Sequence, residues 1–341
     1  MPIFDGSFKE YMPNYLVLSY YSFFNVENPA LHVQQHKLCC SDLDILGRIY
    51  IADNGVNGQV SIHKSDITRY LNWLGTHWNI QKYNCKIQKY NEHAFAKMQI
   101  KQRSELVAIG KKINLEERGA YLSPVEWMHA LERRDTSTIL IDVRNNYESK
   151  VGHFEGAILP PLETFREFPQ YAEELQQRYD PAETKVLMYC TGGIRCELFS
   201  SLLQAKGFKS IFQLQGGVIQ YGNEIGSKYW RGNLFVFDDR LVVSISNAPN
   251  ESISQCSFCS VFSDIYYNCA NSECNELFLA CISCATQQWG CCSNSCKNSG
   301  KNRVFEITEK PKPFRKLRYN EKRTTSCLLY TSDAADERSS V

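Results

Sequence analysis

Seven consecutive residues, Cys190-Thr191-Gly192-Gly193-Ile194-Arg195-Cys196, combine a nucleophile with a backbone able to curl around it. They follow the apolar run KVLMY (185–189), suited to a buried strand, and precede ELFSSLLQAKG (197–207), which has helical spacing. Two glycines free the loop to turn, so that successive N–H groups can converge on one point. The helix start adds the positive end of its dipole. A thiol at the head of such a loop is stabilised as thiolate, below the free pKa of about 8.5. The same cradle suits an anion or a developing oxyanion. The competing reading is a buried cysteine ahead of an ordinary strand-to-helix turn.

A second chemistry is written in the other cysteines. The chain has 15, and nine of them fall between Cys256 and Cys296. They pair as Cys256/Cys259, Cys269/Cys274, Cys281/Cys284, and Cys291 or Cys292 with Cys296. Repeated Cys-x-x-Cys knuckles in a reducing compartment read as tetrahedral zinc sites. Eight ligands, Cys256, Cys259, Cys269, Cys274, Cys281, Cys284, Cys292 and Cys296, would make two structural four-cysteine sites and leave one thiol over. An interleaved pairing, first pair with third and second with fourth, is one connectivity that the spacing allows. An iron–sulfur cluster is the alternative, though the spacing is closer to zinc ribbons than to ferredoxin runs. The odd count fits disulfides poorly. The N-terminal residues lack the basic and apolar regions of a signal peptide. No run approaches the roughly 18 apolar residues of a membrane span. A cytoplasmic protein with reduced cysteines is therefore expected.

These groups must be positioned by at least two folded modules, since 341 residues with 43% hydrophobic and 22% charged side chains have ordinary globular composition. Between residues 16 and 102, strand-like runs (16–23, 45–52, 58–63, 94–102) alternate with helical ones (30–43, 66–75, with Ser65 as N-cap). That order predicts a ferredoxin-like βαββαβ α+β domain within residues 1–115. Tyr20, Tyr21, Phe23 and Phe24 crowd its first strand, either as RNA-stacking rings or as alternating core and surface positions. From 121 to 233, the short apolar strands 138–142, 185–189 and 210–214 alternate with helices, which predicts an α/β domain with a parallel sheet. Its first helix opens with Ser123, Pro124 and Glu126, a capping-box signature. Residues 234–300 form the Cys-rich zinc-binding segment.

Charge is distributed unevenly along the chain. Residues 297–323 carry ten Lys/Arg against three acids, net +7, whereas residues 1–296 carry −4 and the whole chain +1. Such a basic tail, placed at 301–326, suits nucleic acid or is simply solvated. The last stretch, 327–341 with Cys327, resembles translated adapter or vector sequence and is left out of the fold reading.

The loop CTGGIRC after KVLMY resembles the active-site loop of rhodanese domains, and two flanking stretches agree. IDVRNNYESKVGHFEGAI (141–158) resembles the rhodanese signature, with Asp142, Arg144, Glu148, Gly152, His153 and Gly156 in place; LQGGVIQYG (214–222) resembles its closing segment. More widely, IADNGVNGQVS (51–61), MQIKQRSELVA (98–108), YCTGGIRCE (189–197), WRGNLFVFDDR (230–240) and the Cys-rich segment occur in the order found in the bacterial tRNA uridine hydroxylase family. The similarity spans about residues 15–325. The family's Glu-Gly-Ile-Asn-Ala turn reads Asn54-Gly55-Val56-Asn57-Gly58 here.

This resemblance implies oxygen-dependent hydroxylation of the wobble uridine of tRNA at C5, giving 5-hydroxyuridine, with molecular oxygen as co-substrate and the anticodon arm lying across the modules. The expected catalytic residues are Cys190, Arg195 and Cys196, with Thr191, Gly192, Gly193, Ile194 and Arg144 contacting substrate. Cys196 is read either as a thiol that resolves an oxidised or persulfidated Cys190 or as core filler. Asp142 and Arg144 also read as a buried scaffold pair, and His153 as structural. No nucleotide-cofactor fingerprint is evident. Two other functions stay open: a sulfurtransferase carrying a persulfide on Cys190, and a non-catalytic RNA-binding adaptor, against which an intact Cys190 argues.

Overall fold

The structure is a computed structural model and describes residues 13–80, 85–111, 113–246 and 250–306. The chain divides into two compact units, Met1–Leu106 and Val107–Val341. Most of the basic tail, Cys327 and the stretch 327–341 lie outside the described residues. Among those described, no helix is long and apolar enough to cross a membrane.

In the first unit, β1 (Tyr15–Phe23), α1 (Pro29–Asp42), β2 (Leu46–Ala52), β3 (Gly55–His63), α2 (Ile67–Trp78) and β4 (Lys86–Tyr90) follow the βαββαβ order, and β5 (Met98–Gln102) extends it. The sheet runs β4-β1-β3-β2-β5, with β5 parallel to β2. One expectation is corrected. The run 94–102 does not close the motif: Lys86–Tyr90 takes that place beside β1, and Met98–Gln102 pairs at the opposite edge. The sequence KIQKY carries little apolar signal because an edge strand can satisfy itself with amphipathic stems; the Lys86 ammonium lies 4.6 Å from the centre of the Tyr21 ring. A second correction is small. Asp66, not Ser65, precedes α2, and the Ser65 hydroxyl donates to Asp66 at 2.9 Å.

Alternation along β1 separates its aromatics. Tyr20 is fully buried and shares a 2.6 Å hydrogen bond with Tyr70. Gly58 makes room for it, since a Cβ there would lie 2.2 Å from the Tyr20 ring. Tyr20 is thus a core residue, whereas Tyr21 and Phe23 pack edge to face on the other side at 6.0 Å.

The second unit opens with β6 (Ala120–Leu122), α3 (Pro124–Glu132), β7 (Thr138–Asp142), α4 (Asn146–Ser149) and β8 (Gly152–Phe154). It continues with α5 (Phe168–Arg178), β9 (Lys185–Tyr189), α6 (Ile194–Ala205), β10 (Ser210–Leu214) and α7 (Gly217–Glu224). The four-stranded sheet β6-β10-β9-β7 is parallel throughout. Strands β7, β9 and β10 coincide with the three apolar runs of the sequence, as continuous hydrophobic runs do when both faces are covered. The capping box at Ser123 is present, with Glu126 returning a bond to the Ser123 N–H at 2.9 Å. Phe154 centres the core, edge to face with Tyr189, Tyr221 and Trp230 at 4.8–5.1 Å.

The remaining elements among the described residues are three small antiparallel pairs and two short helices. β11 (Trp230–Gly232) pairs with β8, β12 (Leu234–Phe235) with β13 (Val242–Val243), and β14 (Tyr266–Asn268) with β15 (Leu277–Leu279). Helices α8 (Ile282–Gln287) and α9 (Asn294–Lys297) follow. Tyr266 anchors this Cys-rich part to the parallel-sheet part by donating to the Tyr147 carbonyl at 2.7 Å.

Candidate active site and metal centres

Parallel pairing sets the ends of β7 and β9 side by side, with Asp142 opposite Tyr189. Cys190 therefore leaves the sheet beside the Asp142–Arg144 segment. Helix α6 begins at Ile194, so Arg195 and Cys196 belong to its first turn. Gly193, at φ 104°, makes the left-handed bend that a side chain would resist. Its N–H then donates to the Cys190 sulfur at 3.1 Å. The closing segment clamps the loop from the other side. Val218 and Ile219 N–H groups bond the Cys190 and Thr191 carbonyls at 3.0 and 3.1 Å. At Gly217, φ 67°, a Cβ would sit 2.6 Å from both of those carbonyl oxygens, so only glycine permits this approach.

Burial alone would push the Cys190 thiol up. Hydrogen bonding from the Cys196 thiol, the Arg195 charge, and the N–H groups of Cys196 and Arg195 overturn that and hold it down at about 6. Cys196 moves the opposite way, raised by burial and by its bond to Cys190, so it stays a neutral thiol beside a thiolate. The thiolate's folded value lies below its unfolded one. Its contribution to stability is therefore complete above the unfolded pKa and fades as pH falls through about 6. Alkylation of Cys190 by iodoacetamide is expected to rise with pH around a midpoint near 6. A midpoint at the free-thiol value would show that the loop does not activate the sulfur.

Arg195 is fixed by Glu148, from α4. Its guanidinium donates to both carboxylate oxygens at 2.6 and 2.8 Å, and the pair is 1% and 0% exposed. Glu148 also accepts from the Asn145 N–H at 3.0 Å and the Thr191 hydroxyl at 3.1 Å. Among the described residues Arg195 Nε has no hydrogen-bond partner, which leaves one buried N–H for charge that develops at the loop. The guanidinium also lies 5.8 Å from the centre of the Phe237 ring, from the WRGNLFVFDDR stretch. Sequence reasoning placed Glu148 in the rhodanese signature and Gly217 in the closing segment but gave neither a role at the loop. The signals were there: Glu148 completes an Asn145 capping box, and Gly217 is the second glycine of a pair between strand and helix.

The structure brings Cys190, Thr191, Gly192, Gly193, Ile194, Arg195 and Cys196 together as one buried loop, of which Gly192 alone is half-exposed. It places Arg144 elsewhere. That guanidinium is 0% exposed and donates to Asp142 at 2.8 and 2.6 Å and to the Gly152 carbonyl at 2.6 Å. Tyr189 completes the group through a 2.9 Å bond to Asp142. Arg144 thus ties β7, β8 and β9 together as a scaffold residue. His153 is held by the Ser149 carbonyl at 2.9 Å.

In the Cys-rich part, the sulfurs of Cys256, Cys259, Cys281 and Cys284 lie within 4.8 Å of one another, as do those of Cys269, Cys274, Cys292 and Cys296. This is the interleaved pairing, first knuckle with third and second with fourth. The Cys259–Cys281, Cys274–Cys292 and Cys292–Cys296 sulfurs are 3.8, 3.7 and 3.8 Å apart. Bonds of about 2.3 Å in a tetrahedron require sulfur separations of about 3.8 Å, so the thiols already stand at metal-binding distance. Backbone N–H groups of Phe258, Cys284 and Cys292 point to sulfurs at 3.4–3.5 Å, as expected where thiolate charge must be held. The ninth thiol, Cys291, is buried and faces the Trp289 carbonyl at 3.8 Å.

Comparison with known proteins follows the same divisions. A UPF0176 acylphosphatase like domain matches residues 15–106, a rhodanese-like domain residues 125–224, and a rhodanase C-terminal domain residues 231–297. A Chlamydia caviae protein called tRNA uridine(34) hydroxylase is 47% identical over 94% of this chain and 99% of its own length. Proteins of the same name from Chlamydia muridarum and Chlamydia trachomatis are 48% and 46% identical, over 89% and 93% of this chain and 92% and 97% of theirs.

Proposed function

The chain belongs to the tRNA uridine(34) hydroxylase family, and from that premise we propose that it hydroxylates the wobble uridine of tRNA at C5 with molecular oxygen as co-substrate. The observation that carries the reading is the Cys190 thiolate, held at about 6 in a loop of converging N–H groups. Such a thiolate can add to C6 of uracil. In the adduct C5 is nucleophilic and bonds one atom of O2; a thiol reductant supplies the two electrons that release the other atom as water, and loss of the C5 proton with expulsion of the thiolate restores the ring as 5-hydroxyuracil. Charge pushed onto the pyrimidine oxygen meets the loop N–H groups and Arg195, whose own position Glu148 fixes. Cys196 keeps Cys190 ionised by donating to it and is the thiol placed to resolve an oxidised Cys190. Half-exposed Gly192, without a side chain, marks the approach to the buried sulfur.

The substrate contact is the anticodon arm, whose unpaired bases can be read individually, and the compartment is the cytoplasm. Thr191, Gly193 and Ile194 line the proposed base contact with Gly192. Residues 1–115, 121–233 and 234–300 act as three modules, and the two four-cysteine clusters hold structural zinc. With four thiolates and no open position, zinc would fold the module rather than take part in the reaction.

The test is mass spectrometry of tRNA nucleosides from aerated cells. Deleting the gene should remove 5-hydroxyuridine and its derivatives at position 34; wild-type protein should restore them and Cys190→Ser should not. The rhodanese-like domain favours a second reading, sulfur transfer through a Cys190 persulfide. Unchanged wobble uridines together with thiosulfate–cyanide turnover would establish that reading in place of hydroxylation.

A further inference from the structure

We propose that Tyr121 and Arg118, clamped by Glu197, form a stacking platform for an unpaired nucleotide beside the target uridine. This rests on the RNA-substrate reading above. Tyr121 stands on β6, the edge strand of the parallel sheet, and is 43% exposed. Its hydroxyl donates to both carboxylate oxygens of Glu197 at 2.7 Å. Arg118 donates to the same carboxylate at 3.0 Å, and its guanidinium carbon lies 5.9 Å from the centre of the Tyr121 ring. Glu197 itself is 4% exposed. It directly follows Cys196 in the first turn of α6, so the clamp is built on the helix that carries the reactive loop.

Burying a carboxylate is costly unless something is gained by holding its partners. Here the partners are not core elements but two side chains that reach solvent. A surface tyrosine needs no such fixing for stability. Single-stranded RNA, by contrast, is bound by aromatic rings and guanidinium planes on which splayed bases stack. A ring held rigid in this way loses little side-chain freedom on binding. Its attachment to the start of α6 fixes its distance from Cys190, so a base stacked there would set the register of its neighbour at the loop.

The experiment compares the full chain with Tyr121→Phe and Tyr121→Leu. Affinity for a fluorescently labelled anticodon stem-loop oligoribonucleotide is read by anisotropy, with KM, kcat and the pH midpoint of Cys190 alkylation alongside. Tyr121→Phe keeps the ring but loses its bond to Glu197, so Kd and KM should rise by about threefold, less than in Tyr121→Leu. Tyr121→Leu should raise Kd and KM about 10-fold, with kcat and the alkylation midpoint unchanged. Wild-type Kd and KM in Tyr121→Leu would overturn the platform. So would a lowered kcat with a shifted midpoint and unchanged Kd, because the trio would then only support the loop. A wild-type protein that binds no RNA would overturn it as well. If wild type binds the oligoribonucleotide, Tyr121→Leu loses that binding, and neither hydroxylates uridine, the platform stands and the proposed reaction falls.

Discussion

Replacing Glu148 with alanine is expected to destabilise the second unit by about 3–5 kcal/mol, because it leaves the Arg195 cation buried without its partner. For a unit of this size that is a fall in melting temperature of about 6–20 °C. Both guanidinium bonds at 2.6 and 2.8 Å go, together with the Thr191 and Asn145 contacts at 3.1 and 3.0 Å. Thiolate reactivity should fall as well, because Arg195, one of the groups that hold the Cys190 thiol down, is no longer fixed beside the loop by its bonds to Glu148. The double variant Glu148→Leu/Arg195→Met separates the two effects. Removing both charges with apolar groups of similar volume should recover much of the melting temperature. It should not recover thiolate reactivity, and the alkylation midpoint should stay raised. A single Glu148→Ala variant that melts within about 2 °C of wild type would show that the pair is not a buried charge pair at all.

The loop itself was legible because its logic is local. A nucleophile, two glycines and a strand–helix boundary are contiguous, and the left-handed Gly193 and the 3.1 Å N–H···S contact need nothing from elsewhere. What closes over the loop was not legible. Glu148 reaches Arg195 across 47 positions, and Gly217 meets the loop across more than 20. Periodicity carries no information about such meetings; only the parallel register of β7, β9 and β10 creates them. Arg144 shows the same limit from the other side. Its motif neighbourhood allowed both a substrate contact and a scaffold pair with Asp142; the pair is there, buried, and the bond to the Gly152 carbonyl that extends it to β8 is what sequence could not show. The first unit was misread at one strand for a related reason. An edge strand such as β4 buries one face and can use lysine stems to do so, so its hydrophobic pattern is weak while its pairing is sound.

The two four-cysteine clusters invert that balance, since spacing alone narrowed eight candidate ligands to a few pairings and the fold selects among them. The selection gives the last prediction. Purified protein should carry about two zinc ions per chain. Cys292→Ser should lower that to about one, because Cys292 stands 3.7 and 3.8 Å from Cys274 and Cys296 and no other thiol of its cluster can take its place. Cys291→Ser, one residue earlier, should keep two, because that sulfur lies beside Cys269 and bonds the Trp289 carbonyl but is not one of the four that converge. The difference in stability should be large, as a structural zinc site contributes roughly 10–16 kcal/mol of apparent binding energy to the fold it closes. Limited proteolysis should accordingly open the region after Cys256 in Cys292→Ser and in chelator-treated wild type, and spare Cys291→Ser. The reverse result, with Cys291 required and Cys292 dispensable, would overturn the interleaved ligand set. Stoichiometric iron with visible absorbance would overturn zinc itself, and with it the division between a module that folds around metal and a loop that reacts without it.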